Sequence, residues 1–404
     1  MKRVILAANV SLAAVCAISA QEGKNDKVFR IGIIGTTTSH VPAAVKLIND
    51  NPDGDALFKG FKITAAYKGG MPDNPDSWGR VDKYADECKA KGIEIFGTIE
   101  EMLEQVDGVM LESVDGRPHL EQAKPVLAAK KPLFIDKPMG GSLADVLEIY
   151  RLADEAGLEI FSASSLRYAA ETQKMRNEKP LGAILGVDAA SPCSLNDKHP
   201  DFYWYGVHGV ETLFTLMGAG CESVSRTQTA DNEFAVGVWE GGRIGTFRGL
   251  RKSYAYNAAV FCEKGVASCG NYDGYKPLFV EVCNYFASGK SPIPAQETKE
   301  IFAFMSAADA SKKAGGAPVK IADMMQNAAN EKQTNITLAL TKEGAAAWNG
   351  EQIAIDAISE KVAEAAADGA VVRVILDNRA GCDFAVVEQV LAELDQAYLA
   401  NYLY

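Results

Sequence analysis

From residue 29 onward, short unbroken apolar runs alternate with longer stretches in which apolar residues recur every three or four positions. FRIGIIG (29–35), KITAAYK (62–68), IEIFG (93–97), GVMLESV (108–114), PLFIDKP (132–138) and EIFSASS (159–165) are runs of the first kind and predict strands. Between them VPAAVKLIND, RVDKYADECKAKG, TIEEMLEQV, HLEQAKPVLAAK and SLADVLEIYRLADEAG carry the helical period. Thr98 with Glu101 forms a capping-box pattern, Ser142 opens a helix, and Gly92 and Gly157 close two others. Strands without a polar face belong in a parallel sheet covered on both sides. Residues 21–165 therefore predict a Rossmann-type, doubly wound α/β domain.

The rhythm changes at 166–325. A helix around YGVHGVETLFTLMG precedes the strand-like ESVSRTQT, FAVGVWE, RIGTFRGL and AYNAAVFCEKG. The turns EGGR and EKG mark antiparallel hairpins. Two helices, KPLFVEVCNYFASG and AQETKEIFAFMSAADASKKAGG, complete an α+β domain with an open, mostly antiparallel sheet. The polar 326–333 segment predicts a linker. Residues 334–404 then repeat the pattern on a small scale: ITLALT, a hairpin at NGE, the helix DAISEKVAEAAADG, the strand AVVRVILDN, the helix DFAVVEQVLAELDQA and a last strand in YLANYLY.

The first twenty residues differ from the rest. Lys2 and Arg3 precede an apolar stretch ending in small residues, the layout of a cleaved export signal, so the periplasm or cell envelope is the expected location. The net charge is −12, or −14 once Lys2 and Arg3 are removed, and no cationic run offers a footprint for nucleic acid. Seven cysteines follow the leader without a C-x-x-C, so buried apolar thiols are expected and no metal site is.

The segment DGVMLESVDGRPHLEQAKPVLAAKKPLFIDKPMGG, with GVHGVE downstream, resembles the Gfo/Idh/MocA oxidoreductases across 29–325. KPLFIDKP matches that family's Glu-Lys-Pro segment with Asp136 in place of Glu, and GVHGVE matches its Gly-x-His-x-x-Asp/Glu segment. The resemblance implies NAD or NADP and a sugar, cyclitol or related small molecule as substrate, usually in a homo-oligomer. Some such relatives are NAD-dependent glycosidases, and a non-catalytic envelope binding protein is the third alternative. The tail, with NGE and a strand ending in LDN, is similar to the periplasmic domain of the ExbD/TolR family, which implies self-association or an envelope partner.

The resemblance assigns Lys137 to the nicotinamide and the substrate hydroxyl, and His208 to acid–base work, with Glu211 to orient it. Tyr205, His208 and Thr212 are spaced for one helical face. Two departures stand out. The family's aspartate four residues before the histidine is Trp204, which with Tyr205 could floor a sugar ring. The G-x-G-x-x-G turn reads Gly35, Thr37, His40. Thr36, Thr37, Thr38 and Ser39 offer hydroxyls to a phosphate instead, and Lys68 offers charge to a 2′-phosphate. Ser113, Asp115, His119 and Asp136 fall where the family lines its cofactor, and Arg167 and Tyr168 fall near its substrate.

Overall fold

A computed structural model describes residues 28–402, apart from 332, 367–370 and 378–379. The export signal lies outside the described residues. Six parallel strands, β1 (Phe29–Ile34), β2 (Phe61–Tyr67), β3 (Glu94–Phe96), β4 (Gly108–Leu111), β5 (Leu133–Asp136) and β6 (Phe161–Ala163), form a sheet in the order β3-β2-β1-β4-β5-β6. That order reverses between β1 and β4, so the tips of β1, β4 and β5 open onto the topological switch point where such sheets bind ligands. Every residue of β4 and β5 is buried, as the unbroken apolar runs require.

The expected helix signals operate. Thr98 and Glu101 exchange side-chain and backbone bonds as a capping box. Ser142 accepts from the Asp145 N–H, and Gly157 closes the same helix (Leu143–Ala156) in the left-handed region at φ 72°. The first helix departs from expectation: it begins at His40, is regular only to Val45 and widens into a π turn over Lys46–Asp50.

The second domain is a seven-stranded sheet of β7 (Ile184–Pro192), β8 (Cys221–Gln228), β9 (Asn232–Trp239), β10 (Ile244–Leu250), β11 (Asn257–Cys262), β12 (Gly265–Cys269) and β13 (Val319–Lys320), in the order β12-β11-β7-β10-β9-β8-β13. The interior strand β7 carries the polar residues Asp188 and Ser191, which masked it in the sequence pattern. Pairing is antiparallel except between β7 and β10. The helix Val207–Met217 is buried along its whole length against this sheet. It starts two residues after Tyr205, so Tyr205 precedes the helix rather than sharing its face with His208.

The expected linker is largely helix. Ile321–Asn330 is regular and packs Ile321, Met324, Met325 and Ala328 on the main core. Its polar composition reflects an exposed far side, not an unfolded one. The tail comprises β14 (Gln333–Leu340), β15 (Ala346–Trp348), β16 (Glu351–Ile353) and β17 (Val371–Asp377) in the order β16-β15-β14-β17, and carries its own core around Leu338, Ile358, Val362 and Val390. YLAN continues the last helix, Phe384–Tyr402, instead of forming a strand. The tail meets the body through Lys198 to Asp395 at 2.5 Å and Trp78 stacked on Phe384 at 6.1 Å. No described helix is long and apolar enough to cross a membrane.

A chain ending at Glu331 is expected to melt cooperatively within a few degrees of the full body. One ending at Lys320 should be markedly less stable, because it strips the helix that covers the core. Circular dichroism melts of both chains check this.

Candidate active site

The turn after β1 is closed by contacts that no larger residue permits. Gly35 sits at φ 95°, and a Cβ there would lie 2.4 Å from Ser113 Oγ and 2.5 Å from Ser113 N. The β1 turn thus presses on the end of β4. Thr36 donates its hydroxyl to the Val81 carbonyl at 2.9 Å. Thr37 Oγ1 accepts the Val114 N–H at 2.8 Å, and Thr38 Oγ1 accepts the His40 N–H at 3.3 Å. All three threonines are buried, so their hydroxyls serve the fold rather than a phosphate; only Ser39 is exposed. Lys68 sits at the tip of β2 but is paired with Asp82 at 2.7 Å, so a 2′-phosphate would have to compete for it.

His40, where a third glycine would let the helix approach, turns its ring across the crevice instead. Its Nδ1 lies 2.7 Å from Asp136 Oδ2 and 4.0 Å from Glu112 Oε2, and the Tyr275 ring covers it at 4.5 Å. Burial opposes charge on Asp136, but His40 outweighs it and holds the carboxyl below its usual range. Glu112 is pushed well above the usual range by burial and by the charge of Asp136.

Lys137 follows on the tip of β5. It is 7% exposed and lies with Nζ 5.8 Å from the Tyr205 ring centroid. His208 flanks the same ring at 5.1 Å, and Tyr256 stands beside both, 6.1 Å from His208 and 3.5 Å from the Tyr205 hydroxyl. Ser164 Oγ sits 2.7 Å from His208 Nδ1 and already accepts the Leu166 N–H. Its own hydrogen is best placed on Nδ1, which puts the imidazole hydrogen on Nε2. Burial, then the Lys137 charge, pushes the His208 pKa well down and keeps the ring neutral.

Glu211 makes no hydrogen bond to His208 and reaches it only through Ser164. It binds Arg167 Nε at 2.7 Å and the Ser164 N–H at 2.7 Å, and Arg167 reaches on to Glu297 at 2.6 Å. Arg167 is therefore buried in an ion network behind the site, not on a substrate-facing surface. Tyr168 is half-buried and packs against the apolar core that includes Ile31, Ile33, Phe161 and Phe279. Asp115 is saturated by Arg117, Asn74 and His199, the last at 2.9 Å. Burial opposes its charge, yet His199 and Arg117 hold the carboxyl far below its usual range. Trp204 lies on the His199 ring at 4.9 Å as packing. Ser113 donates to Gln122, and His119 braces the Ser113 carbonyl at 2.8 Å against that of Met139 at 3.3 Å. These residues build the crevice floor. Sequence reasoning missed Ser164, Tyr256, Tyr272 and Tyr275; the signal for the tyrosines lay in the loop segments YAYN and YDGY.

The strand order, the glycine turn and the lysine on β5 carry one signature. Residues 29–164 match the Gfo/Idh/MocA family model, described as an oxidoreductase family with an NAD-binding Rossmann fold. No curated protein matches the chain in sequence. Among solved structures, a probable dehydrogenase from Thermotoga maritima is similar at TM-score 0.60 and 18% identity, covering 73% of this chain and 100% of that one. The myo-inositol dehydrogenase of Lactobacillus casei in complex with NAD(H) and myo-inositol gives TM-score 0.58 at 16% identity, covering 72% and 96%. The scyllo-inositol dehydrogenase of the same organism, with bound NAD(H) and scyllo-inositol, gives 0.56 at 16%, covering 73% and 100%. At such identities the likeness is one of fold. The matched domain, residues 29–164, keeps the strand order of an NAD-binding Rossmann fold. At its turn Thr37 is clasped to Val114, and His40 reaches to within 2.7 Å of Asp136 where a glycine would leave space.

Three consequences are measurable. Gly35→Ala should lower stability by about 3 kcal/mol, since backbone must move and φ is unfavourable. Thr37→Val orphans the Val114 N–H and should lower it by about 1–3 kcal/mol. Burial lowers the pKa of both His208 and His119. Their contribution is whole above the unfolded value of about 6.5 and is lost as pH falls below it. The melting temperature should therefore drop between pH 7.5 and pH 5, less steeply in His208→Gln.

Proposed function

We propose that this protein is an exported oxidoreductase of the Gfo/Idh/MocA type that acts on a sugar- or cyclitol-like substrate. The observation that carries the reading is the meeting of Lys137 and His208 on the Tyr205 ring at the tip of β5. A cation and a neutral imidazole N–H there offer two donors to one substrate oxygen. Lys137 can exchange the hydroxyl proton, while His208, fixed by Ser164, orients the oxygen. Tyr205, Tyr256 and the rim residue Tyr272 supply apolar faces suited to a ring carrying many hydroxyls. The tail, residues 334–404, is on this reading an ExbD/TolR-like periplasmic module for self-association or an envelope partner.

Hydride transfer with NAD or NADP is the reaction of this family type, and here it requires the Thr37–Val114 clasp to open. A second reading, a dinucleotide-free binding protein on the same scaffold, is favoured by that clasp and by the His40 ring. Thermal melting with NAD(H), NADP(H) and inositols separates the two. A nucleotide at a hundredfold excess over its Kd should add about 2.7 kcal/mol of stability on the first reading. A shift with polyol alone, unaltered by Thr37→Gly, supports the second and removes the redox proposal.

Lys137→Ala should lower turnover at least a hundredfold while leaving the melting temperature within a few degrees. Retained turnover would take Lys137 out of the chemistry.

A further inference from the structure

The tips of β1, β4 and β5 bring together three polar side chains beside Lys137. His40 comes from the start of the first helix, Glu112 from the residue after β4, and Asp136 from the last residue of β5. Their ligand-capable atoms all lie within 4.8 Å of one another, and all three residues are buried. His40 Nδ1 and Asp136 Oδ2 lie 2.7 Å apart but outside hydrogen-bond geometry, so both remain buried without a hydrogen-bond partner. Glu112 stands outside even that contact. Both its oxygens are buried without a hydrogen-bond donor, and the nearer lies 4.0 Å from His40 Nδ1. A fully buried carboxyl aimed into a space shared by an imidazole and a second carboxyl has the Lys137 charge in reach but no hydrogen-bond donor of its own.

We propose that His40, Glu112 and Asp136 form a binding site for one divalent transition-metal ion of the Zn²⁺ or Mn²⁺ class. One imidazole and two carboxylates are a ligand set such ions take, and two carboxylates match a double positive charge. Two ligands each about 2.1 Å from a tetrahedral ion stand about 3.4 Å apart. The observed separations of 2.7 Å and 4.0 Å bracket that value, so small side-chain rotations bring the three into place. The position at the tips of β4 and β5, directly before Lys137, would leave a remaining coordination position toward the substrate crevice. There a metal would polarise a hydroxyl or carbonyl oxygen. The ligands stand 72 and 24 residues apart in the chain, which is why no spacing motif announced them. The ligands are neither Lys137 nor His208, so metal binding can be tested apart from turnover even though the site lies beside both.

The test uses the untagged full chain, stripped with a chelator, with no nucleotide or polyol present. Titration with Zn²⁺ and with Mn²⁺ by calorimetry, and mass spectrometry of retained metal, should give about one ion per chain. Glu112→Gln and His40→Gln should each weaken binding at least tenfold, with folding confirmed by circular dichroism. Co²⁺ substitution in the wild-type chain gives a readout that needs no variant: visible bands of an ordered nitrogen–oxygen site are expected. Failure of the folded wild-type chain to bind any of the three ions overturns the site. So does equal binding by both variants, which would mark adventitious surface ligands. An increase in melting temperature on Glu112→Gln, without stabilisation of wild type by metal, overturns it too. That result would identify Glu112 as a buried protonated carboxyl. None of these outcomes bears on whether Lys137 handles a polyol.

Discussion

The organising constraint is the approach of the β1 turn to the end of β4. Gly35 lies so close to Ser113 that a single carbon could not be added, and Thr37 locks the approach through Val114. With the two loops drawn together, the side chains that follow each strand have nowhere to go but inward. His40 then crosses to Asp136, Glu112 is shut in beside them, and Tyr275 from the second domain closes over the ring. Where the fold leaves room at its switch point, this chain brings three polar side chains within 4.8 Å of one another.

Behind the crevice, buried charge fixes the geometry. Arg167 joins Glu211 and Glu297, and through Glu211 it holds the Ser164 backbone. Ser164 in turn sets the tautomer of His208. Arg226 plays a similar part deeper in the second domain, tying Asp201, Glu233 and Asp309 together. Removing one member of such a set leaves an uncompensated buried charge, so these residues specify register and orientation as much as they stabilise.

Much of this was legible in the sequence. The six parallel strands announced themselves because unbroken apolar runs have one common explanation, and caps such as Thr98 with Glu101 act locally. β7 was not legible because its alternation is broken by polar residues that hydrogen-bond within the sheet, as Asp188 does with Thr246. The helix Ile321–Asn330 was missed for a related reason: only one narrow face touches the core. Lys137 and His208 could be placed from their segments. Their surroundings could not, because Ser164, Tyr256 and Tyr275 arrive from distant parts of the chain. Glu211 shows the limit most clearly: one turn from His208 in sequence, it faces Arg167 instead.

The continuity of that last body helix matters for the tail. It runs to Asn330, and β14 starts at Gln333, so two residues join the units. The three Cα steps from Asn330 to Gln333 reach at most about 11 Å. The tail therefore works on a very short leash. Anything that grips it brings the crevice to a nearly fixed height above the gripping surface. Lengthening the leash, not altering the grip, is what would uncouple the two.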